Sequence, residues 1–348
     1  MSRTITIALD AMGGDHGVES VIPGAALCLR QQPDLRFLLF GDAARIKPVL
    51  ARHADLQAVS TIIHTDKFIK GDDKPSVALR AGKGSSMRLA IEAVKEGRAQ
   101  AVVSAGNTGA LMAMAKMVLK AVPGIHRPAI ASVWPTQKGS CVMLDLGANV
   151  LVDADNLAQF AVLGAVFARA HTGRDMPSVG LLNVGSEDTK GPDHVRGAAA
   201  ILSQVDFPGR YYGFVEGDDI TKGTVDVVVC DGYAGNIALK TAEGVGRFFS
   251  QSLKATMKSD VLAVLGSVLA YFAFKKIRAK TDPRLYNGGV FLGLNGLCVK
   301  SHGGADALAF SSAVTLAAEL ARHGYVEQVT RDINDLMSQE SFLSQESF

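Results

Sequence analysis

Apolar and polar positions along this chain alternate in blocks. Five runs rich in aliphatic and β-branched residues each end in a short loop of Gly, Asn, Asp, Ser or Thr. They are Ile5 to Gly17 (ITIALDAMGGDHG), Ala101 to Ala110 (AVVSAGNTGA), Val142 to Val150 (VMLDLGANV), Val179 to Gly191 (VGLLNVGSEDTKG) and Val225 to Asn236 (VDVVVCDGYAGN). Helical stretches lie between them: Met87 to Glu96, Ala110 to Leu119, Ala154 to Ala170 and Asp193 to Ser203. Strand and helix in alternation predict an α/β fold with a largely parallel sheet flanked by helices, a rhythm that persists from Ile5 to about Gly246. No Pro- or Ser-rich linker divides the chain, so residues 1–335 are expected to form a single α/β domain. Residues 336–348 carry SQESF twice and read as a disordered tail or an added sequence.

One segment breaks the rhythm. Residues 246–282 predict a helical hairpin whose tip, Val261 to Phe274 (VLAVLGSVLAYFAF), is almost wholly apolar and turns at Gly266 and Ser267. The tip is shorter than the ~20 apolar residues of a transmembrane helix. Lys254 and Lys258 precede it; Lys275, Lys276, Arg278 and Lys280 follow. Two readings stay open: a core or dimer-interface helix, or a peripheral tip that dips Val261, Leu262, Val264, Leu265, Val268, Leu269 and Phe272 into one leaflet while the lysines meet anionic headgroups.

Lys plus Arg number 36 against 34 Asp plus Glu, and no aromatic-interleaved basic strip occurs, so nucleic acid is not an expected partner. At 48% hydrophobic and 20% charged, the 348 residues have the composition of a soluble globular protein. Cys28, Cys141, Cys230 and Cys298 are far apart among apolar neighbours, which reads as buried reduced thiols in a cytoplasmic protein rather than a metal site or disulfide framework. The first strand begins at once, with no signal peptide.

The candidate chemistry lies in the five loops. Ligands of parallel α/β sheets bind beyond the carboxyl ends of the strands, and small polar loops expose N–H groups that hold anions, above all where a helix follows. An enzyme acting on phosphate or another small oxyanion is the resulting expectation. Walker A, GxGxxG, GxSxG and HExxH signatures are all missing. In DAMGGDHG, Gly13 and Gly14 allow close approach of a ligand, and His16 is a base or a plain surface histidine. In SAGNT, Ser104, Asn107 and Thr108 precede a helix, where an N-cap and an oxyanion site look alike. In GSEDTKG, Lys190 is placed to neutralise a phosphate, with Ser186 and Thr189 adding hydrogen bonds; solvated loop charges are the plainer reading. In GYAGN, Asn236 is a second N-cap or a donor to substrate, with Lys240 one turn on.

Taken together, ALDAMGGD, SAGNTGA, LDLGAN, GSEDTKG, DGYAGN, NGGVFLGLNG and SHGGAD resemble, in order from Ile5 to about Gly324, the bacterial phosphate acyltransferases of the PlsX family. The resemblance implies transfer of a long-chain fatty acyl group from acyl carrier protein to orthophosphate, giving acyl-phosphate for phospholipid synthesis. It also implies a homodimer with a fold related to phosphotransacetylases and to the isocitrate and isopropylmalate dehydrogenases. Lys190 and Asn236 match family positions carried over as active-site residues. No cofactor or metal is implied.

The chemistry agrees. Orthophosphate is already an anionic nucleophile, and a thiolate with a pKa of about 8.5 leaves readily, so the enzyme must mainly position phosphate and stabilise a tetrahedral oxyanion. In this reading Lys190 takes the phosphate charge or the developing oxyanion, and Asn236 donates to the thioester carbonyl. Ser104, Asn107 and Thr108 cradle phosphate, and Asp10, Gly13 and Gly14 shape the cleft wall. Cys230 is expected to be a packed, unactivated thiol. The apolar tip would release product into a leaflet, near a downstream membrane acyltransferase. Acidic acyl carrier protein calls for a basic face, either Arg80, Lys83 and Arg88 or Lys275 to Lys280. Three rivals remain: a dehydrogenase with metal on Asp218 and Asp219, a short-chain phosphotransacetylase using acyl-CoA, and a non-enzymatic membrane scaffold.

Overall fold

The computed structural model describes residues 4–346, the side chains of 277–281 and of residues from 340 onward excepted. Among the described residues are eleven strands: β1 (Ile5–Asp10), β2 (Leu35–Gly41), β3 (Ser60–His64), β4 (Ala101–Ser104), β5 (Ala129–Thr136), β6 (Gly139–Leu144), β7 (Ser178–Leu182), β8 (Arg210–Val215), β9 (Val227–Val229), β10 (Gly289–Leu292) and β11 (Leu297–Lys300). They form one continuous sheet in the order β3-β2-β1-β4-β11-β10-β5-β6-β9-β7-β8. All five apolar runs become strands, followed by the polar loops the pattern predicts.

The direction of the strands adds what the pattern did not show. β3, β2, β1, β4 and β11 are mutually parallel, and so are β6, β9, β7 and β8. Between the two groups, β10 is antiparallel to both β11 and β5, and β5 is antiparallel to β6. The sheet is therefore largely parallel within each half, and the halves run in opposite directions. The loops after β1, β4 and β11 thus follow strands of one direction, and those after β6, β7 and β9 follow strands of the other.

Both faces are covered. Helices Val18–Gln31, Ala154–Thr172 and Ala307–Arg322 pack on one face, burying Phe37, Phe160, Phe167 and Phe310. Each such side chain contributes about 1.5–3 kcal/mol by leaving water. Helix Ala154–Thr172 is buried on every side from Asn156 to Ala168, which explains its nearly continuous apolar sequence. A methyl on its Gly164 would lie 2.6 Å from Val227 Cγ1, so this glycine sets how closely helix and sheet approach. Helices Ser86–Lys95 and Thr108–Leu119 cover the opposite face with Met87, Ile91, Leu111 and Met114.

The apolar segment differs from expectation in where it turns. A long helix, Gly232–Thr256, starts well before residue 246 and buries only Gly232 and Gly235. The long helix breaks at Met257–Asp260, where Asp260 caps the tip helix Val261–Leu269 by accepting from the Ala263 N–H. Gly266 and Ser267 therefore lie inside a helix, and the next break falls at Ala270, before helix Tyr271–Thr281. No residue of the tip helix is buried, and Val261, Leu262, Leu269 and Phe272 are each at least 74% exposed. A core-helix reading thus fails within the protomer. Among the described residues, no helix is long and apolar enough to cross a membrane. At the C-terminus, helix Tyr325–Glu346 continues through the first SQESF, and Leu336 is fully buried, so packing reaches past residue 335.

Candidate active site

The end of β1 is tied to its neighbours through one carboxylate. Asp10, 1% exposed, accepts from Ser86 Oγ (2.6 Å), Ser104 Oγ (2.7 Å) and the Met12 N–H (3.3 Å). Burial raises its carboxyl above the usual range against these hydrogen bonds. Ser104 is fully buried, and its hydroxyl also accepts from the Gly106 N–H, so it braces the loop and does not face solvent. Gly13 packs directly on Gly106: a methyl there would sit 2.7 Å from the Gly106 nitrogen. Asn107 is the N-cap of helix Thr108–Leu119 through the Ala110 N–H, and its amide donates to the carbonyls of Gly71 and Asp73. Its side chain is occupied by structure, so any phosphate contact there falls to backbone N–H groups.

Above this brace is a cavity of about 360 Å³ whose lining includes Gly14, Asp15, Gly106, Thr108, Lys300 and Gly303. Lys300, at the end of β11, has its ammonium pulled down to about 8 by burial, with Asp15 and Asp10 acting the other way. Sequence motifs do not mark it, because it reads as the last residue of an apolar strand (LCVK); the glycines after it in SHGGAD are the available signal.

A second cluster forms beyond β6, β7 and β9. Asp145, fully buried, accepts from the N–H groups of Ile130 (3.0 Å), Gly147 (3.3 Å), Ala148 (3.0 Å) and Asn149 (2.7 Å) and from Asn149 Nδ2 (2.9 Å). Burial raises its carboxyl and these contacts lower it. The loop so held supports the start of the long helix. The Gly232 N–H donates to the Asn149 carbonyl (2.8 Å), and Gly235 lies against the Asp145 carbonyl, with no room for a methyl. Asp231 is the N-cap, accepting from the Ala234 N–H. Asn236 is consequently not a cap: it sits in the second turn, exposed, beside Gly147, with its amide making no hydrogen bond among the described residues.

Lys190 belongs to the same region. Asn183 Nδ2 donates to its carbonyl (3.1 Å), and its Nζ pairs with Glu187 Oε1 at 2.7 Å. Glu187 raises the Lys190 pKa, so the side chain is a standing cation and not a base. The two loops adjoin, since β9 pairs with both β6 and β7, and His194 of the Lys190 side lies 3.8 Å from Asp231 of the Asn236 side. Cys230 is 4% exposed and its thiol is pushed well above the usual range by burial, as expected of a packed thiol.

The structure thus gathers Asp10, Gly13, Gly14, Ser104, Asn107 and Thr108 in one place and Lys190 and Asn236 in another. No hydrogen bond or ion pair joins the two sets among the described residues. Asp218 and Asp219, the rival metal pair, instead serve helix Gly217–Lys222: Asp219 closes its capping box and both contact Lys222. Of the basic faces, Arg88 pairs with Glu92, and the side chains of Arg278 and Lys280 lie outside the described residues.

Residues 5–328 match the family model for fatty acid synthesis proteins. The chain is 56% identical to the phosphate acyltransferase of Rhodospirillum centenum, over 97% of this chain and 95% of that one. It is 55% identical to the phosphate acyltransferase of Parvibaculum lavamentivorans, over 97% and 93%. Among solved structures it is similar in fold to the EutD phosphotransacetylase of Staphylococcus aureus (TM-score 0.61, 16% identity, 92% and 95% covered). It is likewise similar to a 4-hydroxythreonine-4-phosphate dehydrogenase of Klebsiella pneumoniae (TM-score 0.52, 15% identity, 92% and 99% covered). Near-complete coverage at this identity leaves one assignment: the chain is an acyltransferase and belongs to the PlsX family of phosphate acyltransferases.

Proposed function

We propose that this enzyme transfers a long-chain fatty acyl group from acyl carrier protein to orthophosphate and supplies acyl-phosphate to phospholipid synthesis. The observation that carries the donor and chain length is the exposed apolar tip, Val261–Leu269 with Phe272, which suits a product too apolar for bulk water. On this reading the tip rests on the membrane surface and hands product toward a membrane acyltransferase. The long helix pairs with its copy in a homodimer through the exposed Val245, Phe248 and Phe249.

In the reaction, one phosphate oxygen forms a bond to the thioester carbon, the tetrahedral oxyanion collapses, and the carbon–sulfur bond breaks to release the carrier thiolate. Asn236 donates its unused amide N–H to the carbonyl oxygen as charge builds there. Lys190 exchanges Glu187 for the negative charge of the reacting groups, an exchange between exposed partners that needs little energy. Such electrostatic positioning is where catalysis of this type gains most.

The test is release of carrier thiol from palmitoyl-acyl carrier protein by the purified enzyme, with and without orthophosphate, and with palmitoyl-CoA as the second donor. Phosphate-dependent release from the carrier, lost in Lys190→Ala and Asn236→Ala, is the expected result. Release from CoA alone would move the assignment to a phosphotransacetylase, and no release from either donor would end it.

A further inference from the structure

Lys300 is a largely buried cation that the reaction as drawn does not use. Its Nζ donates to the main-chain oxygens of Ala105 (3.2 Å) and Ser301, which occupies two of the three N–H donors of an ammonium. The carboxylates that act on it are Asp10 and Asp15. Asp10 is already held by two serine hydroxyls and a backbone N–H beneath the cavity. Asp15 is exposed at its edge, with its own N–H donating to the Gly303 carbonyl (2.9 Å). No ion pair joins Lys300 to either among the described residues. The protein therefore keeps an amine largely out of water with no carboxylate in direct contact among the described residues, which is unfavourable unless something else supplies the countercharge.

The cavity beside Lys300 is built for close approach of a small polar ligand. Its volume, about 360 Å³, falls in the range of small-molecule sites. Glycines line much of it, Gly14, Gly71, Gly106, Gly109 and Gly303 among them, and Gly14 takes φ 85°. The first-turn N–H groups at Thr108 and Gly109 have no acceptor within their own helix and border the same space.

We propose that this cavity is a phosphate-recognising site whose charged contact is Lys300. Two sources present the required oxyanion: orthophosphate itself, and the phosphodiester of the pantetheine arm that carries a thioester donor. The choice of these two rests on the acyl-transfer reading above; the existence of the site does not.

The test is equilibrium dialysis of the full chain against radiolabelled inorganic phosphate and, separately, pantetheine 4′-phosphate, with no acyl donor present. It is run in a Lys190→Ala background, so that phosphate held by that lysine does not enter the reading. One probe or both should bind, and the one that does identifies the source. Lys300→Met should weaken binding roughly tenfold or more, the scale of one charge-assisted hydrogen bond. Asp15→Asn, a surface change that removes a repelling carboxylate, should tighten it severalfold. If Lys300→Met does not fold, the direction of the Asp15→Asn effect decides. Absence of binding to either probe, or binding indifferent to both substitutions, overturns the proposal. A protein that binds phosphate through Lys300 but transfers no acyl group would leave it standing and sink only the acyl-transfer reading.

Discussion

Asp145→Ala probes how the Asn236 side of the site is held. The carboxylate accepts five hydrogen bonds from the start of β5 and from the loop 147–149. Removing it leaves those donors without an acceptor, but not all equally. Gly147 is exposed and can be hydrated, whereas Asn149 is buried and loses a partner for both its main-chain N–H and its amide. Two buried donors at about 1–3 kcal/mol each, reduced because a desolvated charge also disappears, give a loss of about 3 kcal/mol. With an unfolding entropy of roughly 2.1 cal/mol/K per residue over 348 residues, that lowers the thermal midpoint by about 4 °C. The loop also underlies Asn236 through Gly147, so turnover measured well below the transition should fall as well. Circular dichroism melts and the thiol-release assay on the same sample give both readouts. A midpoint within about 1 °C of wild type, or full turnover in the variant, would refute the view that this carboxylate positions the loop.

Four further outcomes follow from the geometry. Gly235→Ala places a methyl on the Asp145 carbonyl and near Cys230 Sγ (2.9 Å); it should destabilise by about 1–3 kcal/mol through overpacking and lower turnover, seen in urea melts and steady-state kinetics. All four thiols should resist Ellman's reagent at pH 8 until the protein unfolds, since burial pushes Cys28 to about 11 and Cys141 to about 12 and lifts Cys230 and Cys298 likewise; Cys230→Ser should keep its turnover. Asp at Val264, Leu265 and Leu269 together should abolish liposome flotation while leaving transfer from a soluble donor intact; unchanged flotation would refute membrane contact there. Finally, Lys300 loses its proton at about 8 when folded and near 10.5 when unfolded. The unfolded chain holds more protons in that window, so the Lys300 contribution to stability rises with pH across it. The difference in melting temperature between wild type and Lys300→Met should shift toward wild type from pH 8 to 10.5, and a flat difference would contradict the burial argument.

The strands were legible because each is an apolar run ended by residues that favour turns, and such local signals survive tertiary packing. Strand direction was not legible, because nothing in VMLDLGAN distinguishes an up strand from a down strand. That is why the motifs read as one set although their strands run in opposite directions in the two halves of the sheet. Asn107 and Asn236 looked equivalent, each just before or within a helix start. Only the structure shows that one amide is a cap and the other is unused, because Asp231 had already taken the capping position. Lys300 went unnoticed for a related reason: a lysine ending a strand reads as solvent-exposed until the Gly-rich loops fold over it. The apolar tip was visible from composition, but its turn was misplaced at Gly266, since the capping acid at Asp260 outweighs a glycine inside a helix that leucine and valine sustain.

The long helix that begins at Gly232 has a consequence for how product would travel. Its 25 residues span about 37 Å at 1.5 Å per residue, with Asn236 near one end and the apolar tip just past the other. An acyl chain that fills one leaflet extends over about half of the ~30 Å hydrocarbon core, or about 15 Å. The 20 residues that follow Asn236, as far as Thr256, cover about 30 Å, so a protein standing upright on its tip, as proposed, would hold the carbonyl of its product above the lipid by about twice the reach of that acyl chain. On that proposal, synthesis and delivery would be separate events, with the helix a mast whose length sets the gap between them.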